Sequence, residues 1–182
     1  MSNDETAAKV RIARGADRLY GDLLIVLAVA SLAAPLFAAA TLAWALVLAG
    51  LAGVWWLFLD RTVHGMCAAA GWTLVTLALG LHLAFHIGLD IVPLDLTLCV
   101  GFLLLGGAEL LLELARYRHR RGARLILIIG AAAAAAFGLA VPFYLPAMPD
   151  WAPGVTLALM FAGVGVALLL GSRGDKSGAD AG

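Results

Sequence analysis

Hydrophobic residues run along this chain in six long stretches, separated by short segments that contain prolines or polar residues. A helix advances about 1.5 Å per residue, so about 20 apolar residues cross a hydrocarbon layer roughly 30 Å thick. The six stretches have that length and cover approximately residues 19–37, 38–59, 65–89, 93–115, 123–144 and 151–171. Because the connections are short, neighbouring helices should be antiparallel. We predict an all-α, polytopic six-helix transmembrane bundle.

The boundary between the first two stretches is marked only by Pro35. An unbroken helix from Leu19 to Leu59 would be about twice as long as the bilayer is thick, so we expect a turn between residues 35 and 40. Residues 1–18 are predicted to be a cytoplasmic N-terminal segment, and residues 172–182 a disordered cytoplasmic tail.

The composition agrees with a membrane protein and excludes several other classes. Hydrophobic residues make up 63% of the chain and charged residues 13%, and the mean hydropathy is +0.99. Soluble domains have about 45–50% apolar and about 25% charged residues. The 12 basic residues balance the 12 acidic ones, which argues against both disorder and nucleic-acid binding. The lipid bilayer is therefore the expected partner, and Cys67 and Cys99 are interpreted as small apolar residues.

The basic residues predict how the chain is oriented, because short translocated loops exclude them. With six crossings, all 12 fall on one side, and the opposite loops carry only Asp90, Asp95 and Asp150. Both termini are therefore expected to be cytoplasmic. The basic residues are Lys9, Arg11, Arg14, Arg18, Arg61, Arg116, Arg118, Arg120, Arg121, Arg124, Arg173 and Lys176.

Aromatic residues lie near the predicted ends of the spans, where rings with one polar edge commonly sit at the membrane interfaces. Tyr20, Trp55, Trp56 and Tyr117 fall near the predicted inner interface, and Tyr144 and Trp151 near the outer one. Their positions favour the same orientation.

The chain also shows weak internal repetition, with a period of about 56 residues. It is clearest in the second helix of each pair, where residues 48–53, 104–109 and 161–166 occupy equivalent depths. Three helical-hairpin repeats, at about 19–60, 65–116 and 122–171, are the simplest interpretation. The alternative is that any sequence rich in Leu, Ala and Gly aligns with itself.

Segment 101–116 carries most of a resemblance to a known family. It has Gly106, Glu109 three residues later, and then Ala115 and Arg116 at the predicted cytoplasmic end. In this pattern, and in its three hairpins, the chain resembles the HdeD-type family of bacterial inner-membrane proteins. The resemblance implies a multi-pass inner-membrane location and a part in acid or envelope stress tolerance. Gly53 and Val166 stand at the Glu109 position in the other two repeats.

Glu109 is the principal candidate for chemistry within the membrane. A charge in hydrocarbon costs about 2.5–3.5 kcal/mol even on insertion scales, so this carboxylate should face protein or water. It is either a protonated structural residue that bonds Thr73 or Thr76, or the proton or cation site of a small transporter or oligomeric channel. Glu113, one turn further, is expected to pair with Arg116.

A second candidate cluster lies at the outer end of the third span. His82, His86 and Asp90 are spaced by four and four residues, which places them on one helical face. The cluster is an interfacial polar group, a pH-responsive group or, with Asp95, a divalent-cation site. Because no fourth ligand is evident, neither a metal nor a cofactor is predicted.

Small residues predict close helix packing, which drives helix association in lipid. Such packing argues against a wide pore within one subunit and is compatible with a homo-oligomer or a purely structural assembly protein. No enzyme signature is found, so a non-enzymatic protein is expected. The glycines assigned to packing are Gly50, Gly53, Gly106, Gly107, Gly163 and Gly165.

Overall fold

The described part of the chain folds into six α-helices and contains no strand. A computed structural model describes residues 3–33, 40–59, 66–85, 93–117, 121–144, 148–149 and 151–173. The helices are α1 (Asn3–Leu32), α2 (Ala40–Leu59), α3 (Met66–Phe85), α4 (Leu94–Leu112), α5 (Arg121–Tyr144) and α6 (Ala152–Arg173). A π-helical turn, Glu113–Tyr117, directly follows α4. The predicted all-α fold is confirmed.

Five of the helices are long and apolar enough to cross a membrane, which makes the chain an integral membrane protein. The five candidate spans contain 20 to 23 residues each and correspond to α2, α3, α4 with its π-helical turn, α5 and α6. The predicted first span, 19–37, is described only in part. Helix α1 covers it as far as Leu32, and the turn predicted at Pro35 lies outside the described residues.

The helices form a closed ring in chain order, with α6 packed against α1. Contacts between neighbours run in opposite directions along the two partners, as antiparallel packing requires. On α1, for example, Arg18 bonds Ser172 of α6, and Gly21, nearly one turn further, meets Gly165. Of the five candidate spans, α6 is the most enclosed.

Three helix pairs approach most closely: α2 with α3, α4 with α5, and α6 with α1. A Cβ atom added to Gly80 would lie 2.6 Å from the backbone nitrogen of Val47, and one added to Gly106 would lie 2.9 Å from the carbonyl oxygen of Ala131. Lipid offers no hydrophobic drive for helix association, so contacts of this kind stabilise the bundle through dispersion. In each of these pairs, the two helices come from different predicted hairpins. The sequence repeat itself stays a prediction.

Basic side chains from different segments lie at one end of the bundle, called here the basic end and defined by Arg18, Arg116 and Arg124. Arg18 lies beside the last turn of α6, Arg116 contacts α1, and Arg124 contacts the residue that follows α4. The opposite end is marked by His82 and Thr97, which bring α3 and α4 together. The position of a residue along the bundle can therefore be described by which of these two ends it is nearer to.

Candidate functional site

Glu109 lies in the interior of the bundle, where α4 faces α5 and α6. Its side chain is 0% exposed, and neither carboxylate oxygen has a hydrogen-bond partner among the described residues. Buried polar atoms are nearly always paired, so a carboxyl group without a partner requires an explanation. Glu109 is therefore the first candidate for a function within the membrane.

Two glycines make the space that holds this carboxyl group. A Cβ added to Gly163 of α6 would lie 2.8 Å from Glu109 Oε1, and one added to Gly130 of α5 would overlap the same oxygen. The carbonyl oxygen of Ile126 borders the space as well, 3.4 Å from that position at Gly163. The carboxyl group thus lies beside glycines of two helices, with no hydrogen-bond partner among the described residues.

The threonines proposed as partners of Glu109 lie in another interface, so that expectation was wrong. The Thr76 hydroxyl donates to the carbonyl of Trp72 in its own helix, at 2.7 Å. Thr73 packs beside Gly53 of α2, where an added Cβ would lie 2.8 Å from its Oγ1 atom. Both threonines lie on a buried face of α3, whereas Glu109 faces α5 and α6.

Glu113 is the second buried carboxylate, and its partner differs from the expected Arg116. Its Oε1 atom lies 2.9 Å from Nε of Arg124 at the start of α5. The Glu113 side chain is 1% exposed and that of Arg124 is 49% exposed. The ion pair therefore joins the first, buried residue of the π-helical turn after α4 to the surface of the basic end.

Arg116 instead belongs to a cluster that ties three segments together at the basic end. Asp17 Oδ1 accepts hydrogen bonds from Trp56 Nε1 at 2.8 Å and from Arg116 Nη2 at 3.4 Å. The Arg116 guanidinium also lies 5.0 Å from the centroid of the Trp56 ring, and Tyr20 stacks on that ring at 5.0 Å. We call Asp17, Tyr20, Trp56 and Arg116 the Trp56 cluster.

The Trp56 cluster was missed in the sequence because its aromatic residues were assigned to the membrane interface. Trp55 is 52% exposed, whereas Trp56 is fully buried, and so is Tyr20. A signal was available: Ala49, Gly53 and Trp56 are spaced by four and three residues, so they share one face of α2. Small residues on that face point to a protein interface, and Trp56 lies on it.

At the opposite end, the structure tests the histidine cluster only in part. His82 Nε2 lies 3.3 Å from Oγ1 of Thr97, which links α3 to α4. His86 and Asp90 lie outside the described residues, so their grouping with His82 stays a prediction. Where the structure describes the chain, no three His, Cys, Asp or Glu side chains are grouped as metal ligands would be.

Most of the glycines singled out in the sequence lie against a neighbouring helix. The exception is Gly107, which faces outward with nothing within 4 Å of an added Cβ, because it follows the inward-facing Gly106 by one residue. Gly80 and Gly130 also lie in contacts between helices and were not singled out. Of the six glycines assigned to packing from the sequence, the five at contacts are Gly50, Gly53, Gly106, Gly163 and Gly165.

Comparison of the chain with protein-family models, with curated proteins and with solved structures gives no match. The HdeD-type resemblance therefore stays a prediction that rests on the residues of this chain.

We expect the Arg124→Gln variant to lower the free energy of unfolding by about 2 kcal/mol. Removal of one partner of a buried ion pair costs about 3–5 kcal/mol, and the exposure of Arg124 reduces that cost. The measurement is unfolding of the purified protein in mixed micelles, followed by circular dichroism. The double variant Arg124→Gln, Glu113→Gln should regain most of the loss, because it leaves no unpaired buried charge. A double variant as unstable as the single one would contradict this role for Arg124.

Proposed function

We propose that this chain is a non-enzymatic protein of the HdeD type that acts in acid or envelope stress tolerance by responding to protons. The observation that carries the proposal is the Glu109 carboxyl group, buried between three helices without a hydrogen-bond partner among the described residues. The resemblance of segment 101–116 to the HdeD-type family supports it.

The surroundings of Glu109 link its protonation state to the packing of α4, α5 and α6. An ionised carboxylate enclosed by apolar side chains and glycine backbone lacks the hydrogen bonds that would offset its loss of water. The neutral acid fits the space at Gly130 and Gly163, whereas the ionised form favours an arrangement that admits water or a cation. Acid conditions therefore favour the closely packed state of α4, α5 and α6, and loss of the proton favours its loosening.

The proposed location is the inner membrane of a bacterium, with the basic end in the cytoplasm. Arg18, Arg116 and Arg124 come from three separate stretches of sequence and lie at one end of the bundle. Short loops rich in Arg and Lys stay on the cytoplasmic side during insertion. This orientation places Glu109 on the cytoplasmic half of α4 and His82 near the outer surface.

Acid survival tests the proposed role of Glu109. We expect Glu109→Gln to abolish the survival advantage that the wild-type chain gives a deletion strain after acid challenge, because glutamine stays neutral at every pH and so removes the proton-driven change between the two packing states. Viable counts are compared at equal protein levels in the membrane. Asp22→Asn, at an exposed position of α1, is the matched control and should survive as the wild type does.

Two other results would change the assignment. In the first, the Glu109→Gln strain survives acid as the wild type does, and a His82→Gln, His86→Gln double variant does not. This result would assign the proton-responsive site to the outer end. The second result is proton flux into liposomes that contain the protein, measured with a pH-sensitive dye. Flux that Glu109→Gln abolishes would favour a transporter instead.

A further inference from the structure

We propose that Glu109 exchanges its proton only with the basic end of the bundle, by way of Glu113, whose negative charge Arg124 stabilises, and that the opposite side of the site is sealed. This inference rests on the proposed proton-responsive role and specifies which compartment the site senses.

Toward the basic end, the next acidic side chain after Glu109 is also buried. Glu113 follows Glu109 by four residues, so the two side chains start from the same side of the helix, about one turn apart. Both side chains are buried, and Glu113 pairs at 2.9 Å with Arg124, which is 49% exposed. Two groups that can bind a proton or stabilise a negative charge thus lie between Glu109 and the surface.

The other elements around Glu109 add no further titratable groups among the described side chains. From α4 and its π-helical turn, Glu113 is the acidic neighbour, and Arg116 turns away to Asp17. From α5, the charged side chain at this end is Arg124. From α6, the described side chains at residues 152–172 include neither an acid nor a base. Among the described side chains, Glu113 and Arg124 are therefore the charged groups that lie between Glu109 and the basic end.

The side of Glu109 that faces the opposite end is closed by apolar side chains. About one turn away lie Leu105 of α4, Ala134 of α5 and Met160 of α6, all of them completely buried in one continuous core. Beyond them the rings of Phe102 and Phe137 meet edge to face, with their centroids 4.6 Å apart. None of these side chains can pass on a proton.

Thr156 of α6 is a buried hydroxyl in the outward half of that helix, and it does not open a route. Its Oγ1 atom donates to the carbonyl oxygen of Ala152 at 2.9 Å, within its own helix. In the proposed orientation, Glu109 thus senses cytoplasmic pH, whereas His82 faces the outer side. The two candidate groups would report on different compartments.

The test uses the full chain in oriented proteoliposomes, with orientation read from protease access to an amino-terminal tag. Infrared difference spectroscopy measures the C=O stretching band of a protonated carboxyl group, and the band lost in Glu109→Gln belongs to Glu109. The pH is changed first on one side of the vesicle membrane and then on the other. We expect the Glu109 band to follow the pH at the basic end and to ignore the pH at the His82 end.

The outcomes separate this inference from the proposed function. A Glu109 band that follows the pH at the His82 end, or that follows both ends equally, overturns one-sided access and leaves a proton-responsive Glu109 in place. A band that neither pH moves, or no band that Glu109→Gln removes, means that Glu109 exchanges no proton, and both proposals fail.

The route itself is tested by the rate of the response. We expect Glu113→Gln to slow the change of the Glu109 band after a pH jump at the basic end by at least tenfold, without abolishing it. Thr97→Val, at the opposite end, is the control and should leave the rate unchanged. An unchanged rate in a folded Glu113→Gln protein would remove Glu113 from the route.

Discussion

Replacement of Trp56 by alanine is expected to lower the free energy of unfolding by about 3–5 kcal/mol, the range for loss of a large aromatic side chain from a core. Trp56 is completely buried, stacks on Tyr20 and donates to Asp17 at 2.8 Å. Its removal would also take the ring from beneath the Arg116 guanidinium. The measurement is unfolding of the purified protein in mixed micelles, followed by far-ultraviolet circular dichroism.

Trp55→Ala is the matched control, because it removes the same side chain from the neighbouring position. Trp55 is 52% exposed on the outside of the bundle, and we expect its loss to cost less than about 1 kcal/mol. Trp56→Phe keeps an aromatic ring and loses the hydrogen bond to Asp17, so it should cost about 1–3 kcal/mol. Equal losses for Trp55→Ala and Trp56→Ala would contradict the structural assignment of the Trp56 cluster.

The helices themselves could be predicted from the sequence because length and hydropathy alone set them. A span must be long enough to cross the hydrocarbon layer, and it must satisfy its backbone hydrogen bonds internally. The bounds of α2 and α5 therefore lie within two residues of the predicted stretches 38–59 and 123–144. Pro142 lies in the last turn of α5, inside the predicted stretch 123–144.

The faces of the helices were harder to predict, because an apolar residue suits both lipid and the protein interior. Trp55 and Trp56 look equivalent in the sequence, and so do Gly106 and Gly107, yet only the second tryptophan and the first glycine face the interior. Hydropathy carries no signal that separates them. The spacing of small residues along one helix is the signal that remains.

For Glu109, one property could be predicted from the sequence and another could not. Its burial could be predicted, because an acidic group in a span must avoid lipid. Its neighbours could not, because they depend on how the helices are arranged around the ring. The sequence suggests threonines because their hydroxyl groups form hydrogen bonds, whereas Gly130 and Gly163 make space for the carboxyl group because they have no side chains. A space formed by missing side chains has no residue type in the sequence from which the neighbours of Glu109 could be predicted.

The Gly80→Ala variant should lose about 3 kcal/mol of unfolding free energy, the upper end of the range for overpacked cores. The added methyl group would lie 2.6 Å from the backbone nitrogen of Val47 and 2.9 Å from the carbonyl carbon of Leu46. Backbone atoms of a packed helix cannot rotate away as a side chain does, so α2 and α3 must separate along their length. Unfolding in mixed micelles measures the loss.

Gly71→Ala provides the control within the same helix, because nothing lies within 4 Å of a Cβ added there. Alanine is the better helix former, so this variant should keep or slightly raise the stability. The contrast depends on the close contact of α2 with α3 and not on helix propensity, which favours alanine at both positions. If Gly80→Ala were as stable as Gly71→Ala, α2 and α3 could not be as close as they are in this structure, and the ring would have to open between them.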